Sequence, residues 1–154
     1  HLLHGMLLPE AGHMLLRRHP RDGYEGNCPF HGTCFEGMAS GPAIADRWGR
    51  PAERLQDDAK VWDMESHYIA QALVNLILVL SPRIIILGGG VMKNEQLFPM
   101  IRSQVKKILN DYLDTRELED MEHYIVPASL RGNQGILGAV ELARRALESQ
   151  RDYR

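Results

Sequence analysis

Three soft metal ligands fall within seven residues, in the run Cys28-Pro29-Phe30-His31-Gly32-Thr33-Cys34, and a fourth candidate, His13, stands fifteen positions upstream. A chain that uses them together must bring two separate stretches of backbone to one point. Zinc takes four thiolate and imidazole ligands in a tetrahedron, and a short Cys-x2-His spacing lets one tight loop offer two of them at once. With Cys34 third and His13 fourth the shell closes, leaving no position for a catalytic water, so the spacing reads as a structural zinc site of His13, Cys28, His31 and Cys34. Two plainer readings compete. Cys28 and Cys34 are the only cysteines and could pair as a disulfide, although no secretory signal pattern accompanies them and His31 would then be incidental. His1, His4 and His19 also lie upstream of the loop as alternative fourth ligands.

With 154 residues, 44% hydrophobic and 25% charged, the chain has material for one domain with a real core and does not read as disordered. A net charge of -2 with scattered basic residues argues against nucleic acid as the main partner, since phosphate binding needs clustered positive charge. The longest apolar run, Ala72 to Leu80, is broken by Asn75 and falls short of the roughly 20 residues a bilayer crossing needs. Thiolates held by a metal suit a reducing cytoplasm.

The sequence divides into residues 1–57, which carry most of the glycines and prolines and the metal loop, and residues 58–154, where long amphipathic segments alternate with short apolar runs. Helical spacing of Val61, Met64, Tyr68, Ala72, Leu73, Leu76, Ile77 and Leu80 predicts a helix from Asp58 to Leu80, with Asp63 and Glu65 near its positive end and Ser81-Pro82 as its stop. Arg83 to Leu87 reads as a strand apolar on both faces, opening into Gly88-Gly89-Gly90. A helix over Asn94 to Leu113, a strand over Glu122 to Val126 and a last helix over Gly135 to Glu148 complete an α/β order.

Glycines leaving a buried strand let backbone amides approach a ligand, and open α/β sheets bind ligands at that edge. The run lacks both the Gly-x4-Gly-Lys phosphate cradle and the Gly-x-Gly-x2-Gly dinucleotide pattern, so a tight turn explains it equally well. Gly132, Asn133 and Gly135 form a similar loop after the next strand. Two carboxylates accompany the metal ligands: Glu10 precedes His13 by three residues and Glu36 follows Cys34 by two. Carboxylates fixed beside a rigid metal loop suit a polyol site, while each taken alone reads as a solvated glutamate.

Taken together, Glu10-Ala11-Gly12-His13, the metal loop continuing through Phe35-Glu36-Gly37, Ser40-Gly41-Pro42-Ala43-Ile44, Leu87-Gly88-Gly89-Gly90-Val91-Met92 and Asn133-Gln134-Gly135-Ile136-Leu137-Gly138-Ala139 resemble the ROK family of sugar kinases and regulators over nearly the whole chain. Most of that family carries a Cys-x-Cys-x4-Cys loop. The Cys-x2-His-x2-Cys variant here, with Arg17-Arg18-His19-Pro20 before it, is similar to the fructokinase branch. The resemblance implies an actin- and hexokinase-type protein of two ribonuclease-H-like lobes, this chain being the C-terminal lobe with its zinc loop. It implies zinc on His13, Cys28, His31 and Cys34; contacts to fructose or a related hexose from Glu10, His13 and Glu36; and ATP or ADP, with Mg2+, against Gly88, Gly89, Gly90, Val91 and Met92, with Pro42 near the same cleft. It further implies a cytoplasmic homodimer.

The family's catalytic aspartate, in an asparagine-aspartate pair, and its early phosphate loop match nothing in these residues. The expectation is therefore a C-terminal half of a longer kinase, beginning in the remainder of a strand or hairpin at residues 1–5 and inactive alone. Asp22, Asp46, Asp57 and Asp58 read as solvated turn or capping residues and not as replacements for that base. Alternatives are a sugar-sensing repressor of the same family, another ROK hexokinase acting on glucose or mannose, and a zinc-stabilised interaction module.

Overall fold

A computed structural model describes residues 3, 5–130 and 132–151. A 3-10 turn at Ala11–His13 precedes the cysteine loop and two short helices, α1 (Phe35–Ala39) and α2 (Gly41–Trp48). Then come a 3-10 turn, Ala52–Arg54, the long α3 (Ala59–Leu80), strand β1 (Ile85–Leu87) and a further 3-10 turn, Val91–Lys93. Helix α4 (Leu97–Leu109), the short α5 (Arg116–Glu119) and α6 (Met121–Tyr124), strand β2 (Ile125–Pro127) and α7 (Gln134–Arg151) complete the order.

Helix α3 forms where its apolar spacing predicts. The Asp58 carboxylate accepts from Lys60 N–H at its start, and Ser81 ends it in the left-handed conformation at φ 44°. Helix α4 is shorter than its sequence pattern. The Asn94 side chain accepts from Gln96 N–H and holds the preceding turn outside the helix, and Asn110 at φ 47° stops it after Leu109. The expected second strand starts later, because the Asp120 carboxylate accepts from His123 N–H and winds Met121–Tyr124 into a helical turn first.

β1 and β2 pair in parallel, with Ile85 opposite Ile125 and Leu87 opposite Pro127. Ile85 and Ile125 join Val61, Leu73, Ile77, Leu97, Ile101 and Val105 in a core between the strands, α3 and α4, and Ile44 from α2 extends it. Burial of β1 on both faces is not what the structure has: Ile86 is 62% exposed. Among the described residues the sheet has two strands, and α3 and α4 pack against the Ile85 side. Glu65, expected near the positive end of α3 for its charge, is fully buried. No described helix is long and apolar enough to cross a membrane.

Candidate functional site

Cys34 immediately precedes α1 and bridges to Leu15, while Cys28 pairs with Gly32 across its own loop. Phe35 N–H donates to the Met14 carbonyl at 2.8 Å and Asn27 N–H to the Gly37 carbonyl at 2.9 Å, folding the two stretches onto each other. Gly37 permits the fit. A Cβ there would stand 1.9 Å from the Gly32 carbonyl oxygen and 3.0 Å from Cys28 Cβ, so α1 lies flush on the loop only without a side chain at that position.

This folding brings four sequence-predicted ligands together. His13 Nδ1 lies 3.7 Å from the Sγ atoms of both Cys28 and Cys34, and His31 Nδ1 lies 3.7 Å from Cys28 Sγ. The four ligand atoms all fall within 4.8 Å of one another. Zinc bonds of about 2.3 Å to sulfur and about 2.0–2.1 Å to nitrogen at the tetrahedral angle put neighbouring sulfur and nitrogen about 3.6 Å apart. The donor set and its spacing fit zinc. Cys28 and Cys34 are free thiols and form no disulfide. His19 packs its ring 4.8 Å from that of His67, apart from the cluster, and His1 and His4, with the expected strand remainder at residues 1–5, lie wholly or largely outside the described residues. Burial pushes the Cys28 thiol up, but hydrogen bonds from the His31 and Phe30 N–H groups, with those of the Cys34 and His31 side chains, bring it down to about 7. Burial raises the Cys34 thiol.

The other edge of His13 faces outward. Its Nε2 lies 3.6 Å from Glu36 Oε2, on the first turn of α1. Gly12 lies beneath that carboxylate, where an added Cβ would sit 3.4 Å from Oε2. Glu10 leads the 3-10 turn, its carbonyl accepts His13 N–H at 2.9 Å, and the residue is exposed. Carboxylates at such a rim can accept hydrogen bonds from a ligand's hydroxyls.

A cleft of about 630 Å³ opens at the ends of both strands. Parallel pairing of Leu87 with Pro127 sets the two following loops side by side. Gly88, Gly89, Gly90 and Met92 line it with Lys93, Phe98, Ala128 and Gln134. Val91 turns instead onto the core. Pro42 stands in the first turn of α2 and is not among the lining residues. A Cβ on Gly88 would meet Ala128 Cβ at 3.1 Å, so glycine keeps the two loops in close approach. Gln134 Oε1 and Asn94 Nδ2 are buried without a hydrogen-bond partner, and Gln134 lines the cleft. Parallel pairing of the two runs would have pointed to Ala128 and Gln134 from sequence; Lys93 and Phe98 carried no such signal.

Sequence reasoning also missed a buried ionic cluster behind the metal loop. Arg47 pairs with Glu65 at 2.8 Å and Asp22 at 3.2 Å, and donates to the Met38 carbonyl at 2.9 Å. Its guanidinium lies 4.7 Å from the Tyr24 ring centroid and 5.3 Å from that of Tyr68. Tyr68 donates its hydroxyl hydrogen to Asp22 at 2.6 Å. Asp22 is therefore a buried ion-pair partner and not a solvated turn residue, while Asp58 does cap a helix.

The model of the ROK family matches residues 1–146. A protein of Bacillus subtilis (strain 168) is 55% identical over 150 residues, covering 97% of this chain and 50% of its own length. The fructokinase of Pediococcus pentosaceus is 46% identical over 149 residues, covering 97% of this chain and 51% of its own. The solved ROK hexokinase from Thermus thermophilus is similar in fold, with a TM-score of 0.63 at 24% identity over 89% of this chain and 48% of that one. The chain spans about half the length of the curated relatives it matches.

Proposed function

Because the chain belongs to the ROK family, we propose that it is the C-terminal, ribonuclease-H-like lobe of an ATP-dependent kinase that phosphorylates D-fructose at its 6-hydroxyl. The observation that carries this reading is the position of His13, with one ring nitrogen 3.7 Å from two cysteine sulfurs and the other 3.6 Å from Glu36. Residues 1–57 then hold the metal and the sugar, and residues 58–154 hold the nucleotide.

Cys28, Cys34, His13 and His31 hold zinc, which supplies a fixed crosslink between the 3-10 turn and the loop and no activated water. Glu10 and Glu36 accept hydrogen bonds from sugar hydroxyls, and the Nε2 edge of His13 donates one. Three contacts mounted on a crosslinked loop are preorganised for a polyol. Gly88, Gly89 and Gly90 let backbone approach the adenosine and phosphates of ATP bound with Mg2+, and Met92 and Val91 continue that loop; Pro42, in the first turn of α2, does not line this cleft and drops out of the nucleotide site. The base that takes the hydroxyl proton is assigned to no residue of this chain, so phosphoryl transfer requires the remainder of a protein of the relatives' length. A cytoplasmic homodimer without nucleic-acid or membrane partners belongs to the same reading.

Calorimetric titration with D-fructose and separately with ADP tests it, together with ATP-dependent formation of fructose 6-phosphate by a protein of the relatives' length that carries this chain. Binding of both ligands and product formation support the reading. Silence toward both ligands would refute it.

A further inference from the structure

The imidazole of His13 faces a polar group at each end, with Glu36 just beyond hydrogen-bond distance on one side. Nδ1 faces the two sulfurs at 3.7 Å each, and Nε2 faces Glu36 Oε2 at 3.6 Å. The fit of α1 against the loop makes this alignment specific, because Cys34 is the residue before α1 and Glu36 lies in its first turn. One short element therefore delivers a metal ligand to one side of the ring and a carboxylate to the other. Gly12 lies alongside this edge, where an added Cβ would stand 3.4 Å from Glu36 Oε2.

We propose that Glu36 is a positioning residue for the metal: it orients His13 and strengthens its hold on zinc, in addition to any contact with sugar. The inference rests on the zinc reading above. A metal on Nδ1 uses that nitrogen's lone pair, so the ring proton resides on Nε2 and points toward Glu36. A carboxylate there fixes the ring plane and makes the ligating nitrogen more electron-rich. A sugar hydroxyl arriving at the same edge accepts from Nε2–H and donates to Glu36, so it joins this arrangement without dismantling it. Metal retention and sugar recognition then share one carboxylate.

The test is zinc affinity, measured by competition with a chromogenic chelator in the wild-type protein, Glu36→Gln and Glu25→Gln. Glu25 is an exposed acid just before the loop whose carboxylate pairs with Arg18, so its variant removes an equal charge without facing His13. Glu36→Gln is expected to weaken zinc binding roughly tenfold or more, with Glu25→Gln close to wild type. Equal affinities for wild type and Glu36→Gln, or equal losses in both variants, would overturn the proposal. A wild-type protein that takes up no zinc at all would instead overturn the metal reading itself, and this inference with it.

Discussion

Arg47 donates to the Glu65 carboxyl at 2.8 Å, and the two side chains are only 5% and 0% exposed. Arg47 stands at the end of α2, Glu65 on α3 and Asp22 on the segment before the cysteine loop, so one guanidinium ties three parts of the chain together. It also holds the carbonyl of Met38 in α1, two residues beyond Glu36. Removing one partner of a buried pair strands the others, so Arg47→Met is expected to destabilise the protein by about 3 kcal/mol in urea unfolding. Arg47→Lys should recover only part of that, since an ammonium cannot fork between two carboxylates and stack on two tyrosines.

The same cluster gives stability a pH slope. Burial pushes the Glu65 carboxyl up to about 8, with Arg47 opposing the rise and Asp22 adding to it. Between its ordinary value of 4.5 and about 8, the folded chain keeps a proton that the unfolded chain has released. Stability contributed by this group therefore falls as pH rises through that window, by at most about 1.4 kcal/mol per pH unit, and levels off above it. Urea unfolding at about pH 6 and about pH 8 should show a smaller loss in Glu65→Gln than in wild type. Identical slopes would mean that Glu65 is ionised throughout.

Gly37 and Gly23 should respond differently to the same methyl group. At Gly37 a Cβ would collide with the Gly32 carbonyl, whereas Gly23 has nothing within 4 Å. Gly37→Ala is expected to cost about 3 kcal/mol or more and to lower zinc uptake, because α1 must lift off the loop. Gly23→Ala should unfold within about 0.5 kcal/mol of wild type.

At the strand ends, Gly88→Val should weaken ADP binding roughly tenfold or more while leaving zinc content unchanged, since the added atoms would press on Ala128 and Gln134 in the cleft. Calorimetry with ADP and metal analysis by atomic absorption check the two halves separately. Loss of zinc in this variant would show that the two regions are not independent.

The convergence of His13, Cys28, His31 and Cys34 was legible in sequence because coordination chemistry limits which residue types and spacings can serve together, and α3 was legible because a long helix repeats its apolar positions many times. Arg47, Asp22 and Glu65 were not, because partners 18 and 25 positions apart leave no periodic trace and charged residues default to the surface. Ile86 was misread for a related reason. Apolar character on both sides of a strand signals what could be covered, whereas burial depends on which elements pack there. The glycine loop announced a close approach, but Lys93 and Phe98, which complete the wall of its cleft, stand at positions that no spacing tied to it.

In the proposed function, a metal on His13, Cys28, His31 and Cys34 holds the residues that grip the sugar. The most direct test is D-fructose affinity by calorimetry before and after zinc is stripped with a chelator, and again after zinc is restored. At least a tenfold loss is expected on stripping, roughly the scale of a single charge-assisted hydrogen bond, with recovery on restoration. Unchanged fructose affinity in verifiably zinc-free protein would contradict it.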